Sequence, residues 1–386
     1  MKLVWAIRQV LAGLLVWLFR PVRSWAPAAV GVCTVVAVVV SCCLVPFLSS
    51  AQPANGVPVL SKLYGVPAQS PPLGRVIRVG LQIKNIYDLD LPSQSFLADG
   101  WFWMSWGDDV QRILEDNQIQ PSGIVEFTNE IDPSNYSFIQ VIDEPLLVSP
   151  EMTHSYYARF SKKFYINEIS QKYAPFDDQR LPIEIEVLPR ALSDHDPSQR
   201  VELLPFPVRQ FPIAGEYSSM IGFRLTATNW LRQLVYYGQP NLATYSRATA
   251  VFTFSPRPST VFLKWFLPLV VVMGIVVLVP SINGFLGDAR IAIVPAALLT
   301  LVILHENYRS NFPPAPYLTF LDEIYAYSYV ACFVIFVVTL AGSNLLCDLR
   351  PELRKARTRL VRRWDAIAQV SIVVGFFVVS VLAWYD

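Results

Sequence analysis

The stretch KYAPFDDQRLPIEI, Lys172 to Ile185, runs a tight turn directly into an alternating strand, and the architecture of the whole chain can be built up from it. The turn, Ala174-Pro175-Phe176-Asp177-Asp178-Gln179, combines a residue of fixed backbone angle, an apolar ring and two adjacent acids. The strand half, LPIEIE, alternates apolar and charged side chains with the period of two that turns one face inward. No cysteine lies near it: the five cysteines are Cys33, Cys42, Cys43, Cys332 and Cys347, all in or beside apolar segments, so the region between them is read as free of disulfides.

On either side of this stretch the same strand grammar repeats. RVGLQIKNIY, FLADGWFWMSW, SYYARFSKKFYIN, MIGFRLTATNW and ATAVFTFSP are short, rich in β-branched and aromatic residues, and separated by Pro, Asn, Asp and Gly. Many short strands with no helical pattern between them predict an all-β sandwich or barrel over residues 76–258. Residues 52–75 are Pro-, Ser- and Gly-rich and read as a linker or N-terminal arm. Ahead of it, residues 1–51 place Lys2, Arg8, Arg20 and Arg23 before a long apolar run and a small-residue exit, which predicts export of the β-rich region. Cleavage after Ala51 and an uncleaved membrane anchor both fit this segment.

The chain is 53% hydrophobic with a formal net charge of +1, which argues against polyanion binding and leaves nucleic acid out of the expected partners. Its apolar residues gather at the two ends. In the C-terminal region, 259–386, four apolar segments at 262–281, 289–306, 324–346 and 366–384 predict a four-span transmembrane domain. The basic loop at 347–365, CDLRPELRKARTRLVRRWD, is assigned to the cytoplasm, and the β-domain therefore to the outside. The second segment is unusual: it follows GDAR, contains Pro295 and leads into HENYRSNFPPAP, so polar groups sit at both ends, as a helix lining a water path tolerates. Interfacial snorkelling accounts for the same pattern. His154, His195 and His305 are scattered, and no phosphate loop or nucleophile elbow is present, so no enzymatic activity, metal or cofactor is expected.

An exported β-domain followed by four spans resembles the pentameric ligand-gated ion channels, the Cys-loop receptor family and its bacterial relatives. In that family a signature loop reading roughly Phe-Pro-Phe-Asp-x-Gln lies between two cysteines. Residues 174–179 match it, with Asn167 and Leu181 where the cysteines would stand, as in the cysteine-free bacterial branch. Three further stretches match in order: GLQIKNIYDLDLPSQSFLADGWFWMSWGDD with Tyr87, Asp90, Phe96, Trp106 and Asp108; FSPRPSTVFLKWFLP with Arg257 and Pro268; and PAPYLTFLDEIYAYSY with Pro316, Tyr317 and Thr319. The chain departs from the family pattern at Ala174, at Pro295 within the pore segment, and in lacking a clear binding-loop consensus.

The resemblance implies an extracellular immunoglobulin-like sandwich over a four-helix transmembrane domain, assembled as a homopentamer in a bacterial inner membrane with the β-domain facing the periplasm. It implies a gating interface of Asp90, Pro175, Phe176, Asp177, Arg257, Pro316, Tyr317 and Thr319, with Phe176 as an apolar plug and Asp177 paired to Arg257. The simpler reading has Asp177 capping a turn and Arg257 snorkelling at the headgroups. Alignment of the second span places Asp288, Ala292, Ala296, Leu299, Ile303 and Glu306 on one pore-lining stripe, with Leu299 and Ile303 able to form apolar rings; ordinary packing would produce the same stripe. Asp288 and Glu306 favour cations, whereas Arg290 resembles the mouth of anion-selective members. Aromatic candidates for an agonist site are Trp101, Trp103, Tyr136, Phe138, Tyr236, Tyr237 and Tyr245, whose ring faces would attract an amine; core packing is the alternative for each. The expected partners are thus other copies of the chain, membrane lipid, monovalent ions, and a small-molecule agonist or a proton. The function implied is a ligand- or proton-gated, cation-conducting channel; the alternative is a non-conducting membrane-anchored receptor of the same fold.

Overall fold

The computed structural model describes residues 65–67, 75–131, 140–141, 153–167, 169–194, 196, 198–206, 214–217, 220, 222–237, 244–283, 286–347 and 354–385. The export segment 1–51, Tyr136 and Phe138 lie outside the described residues. The strands are β1 (Gly65–Pro67), β2 (Arg75–Asp90), β3 (Ser95–Trp106), β4 (Val125–Phe127), β5 (Glu130–Ile131), β6 (Gln140–Val141), β7 (His154–Tyr165), β8 (Gln179–Val187), β9 (Val201–Pro205), β10 (Ala214–Tyr217), β11 (Phe223–Tyr236) and β12 (Thr244–Pro256), with a short helix α1 (Asp108–Asp116) after β3. Four helices come after the strands: α2 (Pro258–Ser281), α3 (Gly287–Arg309), α4 (Phe320–Cys347) and α5 (Arg354–Tyr385).

The strands form two sheets. One has the order β1-β11-β12-β8-β4; the other runs β10-β2-β3-β7-β5, with β6 added to β7 and β9 to β2. Alternation along the strands explains how they share a core: Ile77, Val79, Leu81 and Ile83 of β2, Ile183 and Ile185 of β8, and Phe252 and Phe254 of β12 are all fully buried in one apolar cluster drawn from both sheets. Each such side chain contributes about 1.5–3 kcal/mol when removed from water. Phe127 joins the cluster through Phe160 and Phe164, with ring centroids 5.4 and 5.6 Å away.

All four helices α2 to α5 are long and apolar enough to cross a membrane, which suggests a multi-pass membrane protein. Their limits correct the sequence expectation at three points. Helix α3 continues through Pro295 and extends beyond 289–306 at both ends; a proline costs a helix one internal hydrogen bond, which long flanking turns tolerate. Helix α4 starts at Phe320 because Thr319 and Asp322 form a reciprocal capping pair, the Asp322 carboxylate accepting from Thr319 N at 3.1 Å and Thr319 Oγ1 accepting from Asp322 N at 3.3 Å. The basic stretch expected as a loop over 347–365 is helical from Arg354 onward, as its Lys, Arg, Ala and Leu content favours.

The chain divides into two compact units. One comprises Leu269–Val302 and Ile324–Asp386; the other takes the β-sheets through Pro268 together with Ile303–Glu323. Within the first, Arg290 of α3 is fully buried and its Nη2 donates to Asp365 Oδ1 of α5 at 2.8 Å. Gln369 Nε2 donates to Val277 O at 2.7 Å, and Tyr327 OH donates to Ile372 O at 2.9 Å, tying α5 to α2 and α4.

Candidate functional site

The turn at 170–179 belongs to the same unit as the start of α2 and the segment 303–323, and it is held against both. Its Ala174-Pro175 peptide bond is cis. Phe176 N donates to Tyr173 O at 2.8 Å, closing the turn. The Phe176 ring meets Phe266 of α2 at 5.4 Å and Phe320 of α4 at 6.1 Å. Two polar contacts reinforce the seat: Phe320 N donates to Lys172 O at 2.9 Å, and the Tyr308 hydroxyl lies 3.4 Å from Ala174 O and 2.8 Å from Thr319 Oγ1. Beside it, Trp265 meets Tyr308 and Phe312 at 5.4 and 6.1 Å. The turn is thus attached through aromatic rings and backbone groups, which fix its orientation relative to the helix ends.

The acid-base pairing implied for this junction is absent. Among the described residues no ion pair involves Asp90, Asp177 or Arg257. Asp177 is occupied inside its own turn, accepting Tyr173 N–H at 2.8 Å and the Ser170 hydroxyl at 3.3 Å, while Asp90 Oδ1 accepts Ser93 N–H at 3.3 Å. Arg257 is exposed and contributes its backbone N–H, to Gly222 O at 2.9 Å. Burial pushes the Asp177 carboxyl up to about 6 from its ordinary 3.8; the Tyr173 and Ser170 hydrogen bonds lower it, and the neighbouring Asp178 charge raises it further. Of the helix-side residues named for this junction, Pro316 and Tyr317 are exposed and buried Thr319 serves as a cap, while the turn itself touches Phe266, Tyr308 and Phe320. Close by, His305 Nε2 lies 2.9 Å and Arg309 Nε 3.4 Å from Asp322 Oδ1, joining the end of α3 to the start of α4.

Helix α3 has two distinct faces. Arg290, Val294, Ala297, Leu301 and Tyr308 are buried at the helical spacing of three, four and seven. Asp288, Ala292, Ala296, Leu299, Ile303 and Glu306 are all exposed, with Leu299 at 63% and Ile303 at 60%. The predicted stripe therefore lies within the wider surface that the chain itself leaves uncovered, which also takes in Leu298, Thr300 and Val302. Arg290 lies on the opposite face, paired to Asp365, so its guanidinium is withdrawn from that stripe and does not compete there with Asp288.

The aromatic candidates separate onto two sheets. Trp101 and Trp103 of β3 point away from the shared core, Trp101 stacking on Tyr157 at 5.1 Å with Arg159 over its ring at 6.0 Å. Trp103 is 6% exposed and lies over Gly80, where an added Cβ would come within 2.1 Å of its ring. Tyr237 and Tyr245 meet edge-on at 5.6 Å on the other sheet, and Tyr236 is exposed nearby. One chain does not bring these groups together. Around Tyr237 is a charged network that sequence reading missed: Arg247 donates to Glu186 at 2.7 Å, to Glu184 at 2.8 Å and to the Tyr237 hydroxyl at 2.9 Å. Burial raises both Glu186 and Tyr237, the latter to about 12, where the Glu186 charge adds to it. The alternation in IEIE carried the signal, since it puts both glutamates on the face opposite Ile183 and Ile185.

No protein-family model matches the chain, and no curated protein matches it in sequence.

Proposed function

We propose that the chain is the subunit of a homopentameric, ligand- or proton-gated ion channel that conducts cations through a pore lined by α3. The observation that carries this reading is the uncovered face of α3, where an aligned row of apolar residues is flanked by Asp288 and Glu306 at its two ends. In a ring of copies these acids would become charged mouths around the closing residues Leu299 and Ile303. The seat of Phe176 on Phe266 and Phe320 supports a mechanical role for the 170–179 turn: a β-domain displacement would be delivered to the ends of α2, α3 and α4. On this reading the β-sheets form a periplasmic sandwich, and an agonist sits between subunits, where aromatics of the two sheets from different copies can converge. The chemistry is conduction and not catalysis.

Current recording from purified protein in planar bilayers tests the proposal, with pH and added amines varied on the β-domain side. Cation currents that depend on one of these stimuli, and that open more readily after Leu299→Ser, are the expected result. Silence from verified pentamers under every condition would overturn conduction and leave the non-conducting receptor.

A further inference from the structure

We propose that a cavity in the β-sheet unit is a binding site for an amphiphilic amine, its cationic head held by Asp90 and Asp177 and its apolar body by Phe223, Met220 and Trp265. The cavity measures about 730 Å³, and all of its lining residues belong to the one unit that includes the β-sheets, the start of α2 and the segment 303–323. That volume suits a compact organic ligand.

Its lining combines acidic and apolar side chains. The C-terminal end of β2 supplies Asp88 and Asp90, and the 170–179 turn supplies Asp177 with Pro175. Asp88 adopts a left-handed backbone, φ 52°, at an irregularity in the β2–β3 register, an uncommon conformation that aspartate tolerates better than most residues. Met220, Phe223, Trp265 and Phe312 also line it. Three acids face one lysine, Lys264, whose ammonium is drawn 4.4 Å over the Trp265 ring and 3.4 Å from Asn311 Oδ1. None of the three carboxylates forms an ion pair among the described residues. The cavity therefore offers an excess of acids over its one lysine together with aromatic and thioether groups. A small anion is repelled by this lining, and a bare metal ion gains nothing from the apolar groups; a protonated amine carrying a hydrocarbon body matches both. The site is distinct from the Tyr237 and Trp101 aromatic groups and holds whether or not the protein conducts.

The test is equilibrium binding of phenethylamine to the purified full-length protein in detergent, with 2-phenylethanol and 3-phenylpropionate as neutral and anionic probes of the same shape. Saturable amine binding is expected, weakened about tenfold or more for the neutral alcohol and in Asp90→Asn/Asp177→Asn, as losing a charge-assisted hydrogen bond implies, and unchanged in Tyr237→Phe. In a separate background, Asn311→Cys at the cavity should react with a maleimide more slowly when phenethylamine is present. Equal binding of amine and alcohol would overturn the proposal. So would unaltered affinity in the folded double variant, loss of binding in Tyr237→Phe, displacement by calcium alone, or a maleimide rate in Asn311→Cys that saturating amine leaves unchanged.

Discussion

Asp177 stands in a partly dry turn without a counter-charge, and this makes a pH prediction. Its carboxyl titrates near 6 in the folded protein against an ordinary 3.8. Between these values the folded chain holds a proton that the unfolded chain has released, so the group's contribution to stability is fully present below pH 3.8 and is lost as pH rises through about 6. A displacement of this size corresponds to roughly 3 kcal/mol at most, and partial solvent access reduces this to about 1–3 kcal/mol. Asparagine is neutral throughout and retains an Oδ1 for Tyr173 N–H. Asp177→Asn should therefore be more stable than the parent by about 1–3 kcal/mol at pH 7.5, or roughly 2–10 °C for a domain of this size, and equal to it below pH 4. Thermal unfolding of both proteins in detergent, scanned across pH, reads the difference. Parallel pH profiles, or a variant less stable at pH 7.5, would show that Asp177 carries no such proton.

Two further substitutions probe the packing that supports the site. Arg290→Met strands the buried Asp365 carboxylate and should cost about 3–5 kcal/mol, while Arg290→Met/Asp365→Leu should recover most of the loss; resistance to heat in detergent measures both. Gly80→Ala forces Trp103 off its seat between Tyr157 and Phe206, because the new Cβ would lie 2.1 Å from the indole. It should cost about 1–3 kcal/mol and alter tryptophan emission, whereas the substitution Lys84→Ala, at an exposed position, should do neither.

Residues 172–185 made the β-domain legible because strand alternation and turn chemistry are local properties, written in neighbouring residues. The four apolar helices were legible for the same reason: length and composition suffice to locate them. Their ends were not. The start of α4 depends on a Thr319-Asp322 capping pair that sits outside the apolar run, and α5 begins within a charged stretch whose helicity hydropathy cannot reveal. Helical spacing alone groups the α3 stripe on one face, but which face the chain leaves uncovered depends on contacts with other helices. The Asp177–Arg257 pair shows the limit most clearly. Opposite charges at matching sequence positions suggested a bond, yet the donors to Asp177 are the backbone of Tyr173 and the hydroxyl of Ser170, four and seven residues away. The Glu184, Glu186 and Arg247 network was hidden for the opposite reason, since its members are adjacent only through the β8–β12 register.

Whether α3 lines a water path can be read from cysteine accessibility along it. Cysteines placed singly at Leu299, Ile303 and Leu301 would be treated with a water-soluble thiol reagent during bilayer recording. Leu299→Cys and Ile303→Cys currents should be blocked when the channel opens, while Leu301→Cys, on the fully buried face, should be spared. Block at Leu301→Cys with Leu299→Cys and Ile303→Cys unaffected would contradict a pore lined by the uncovered face of α3.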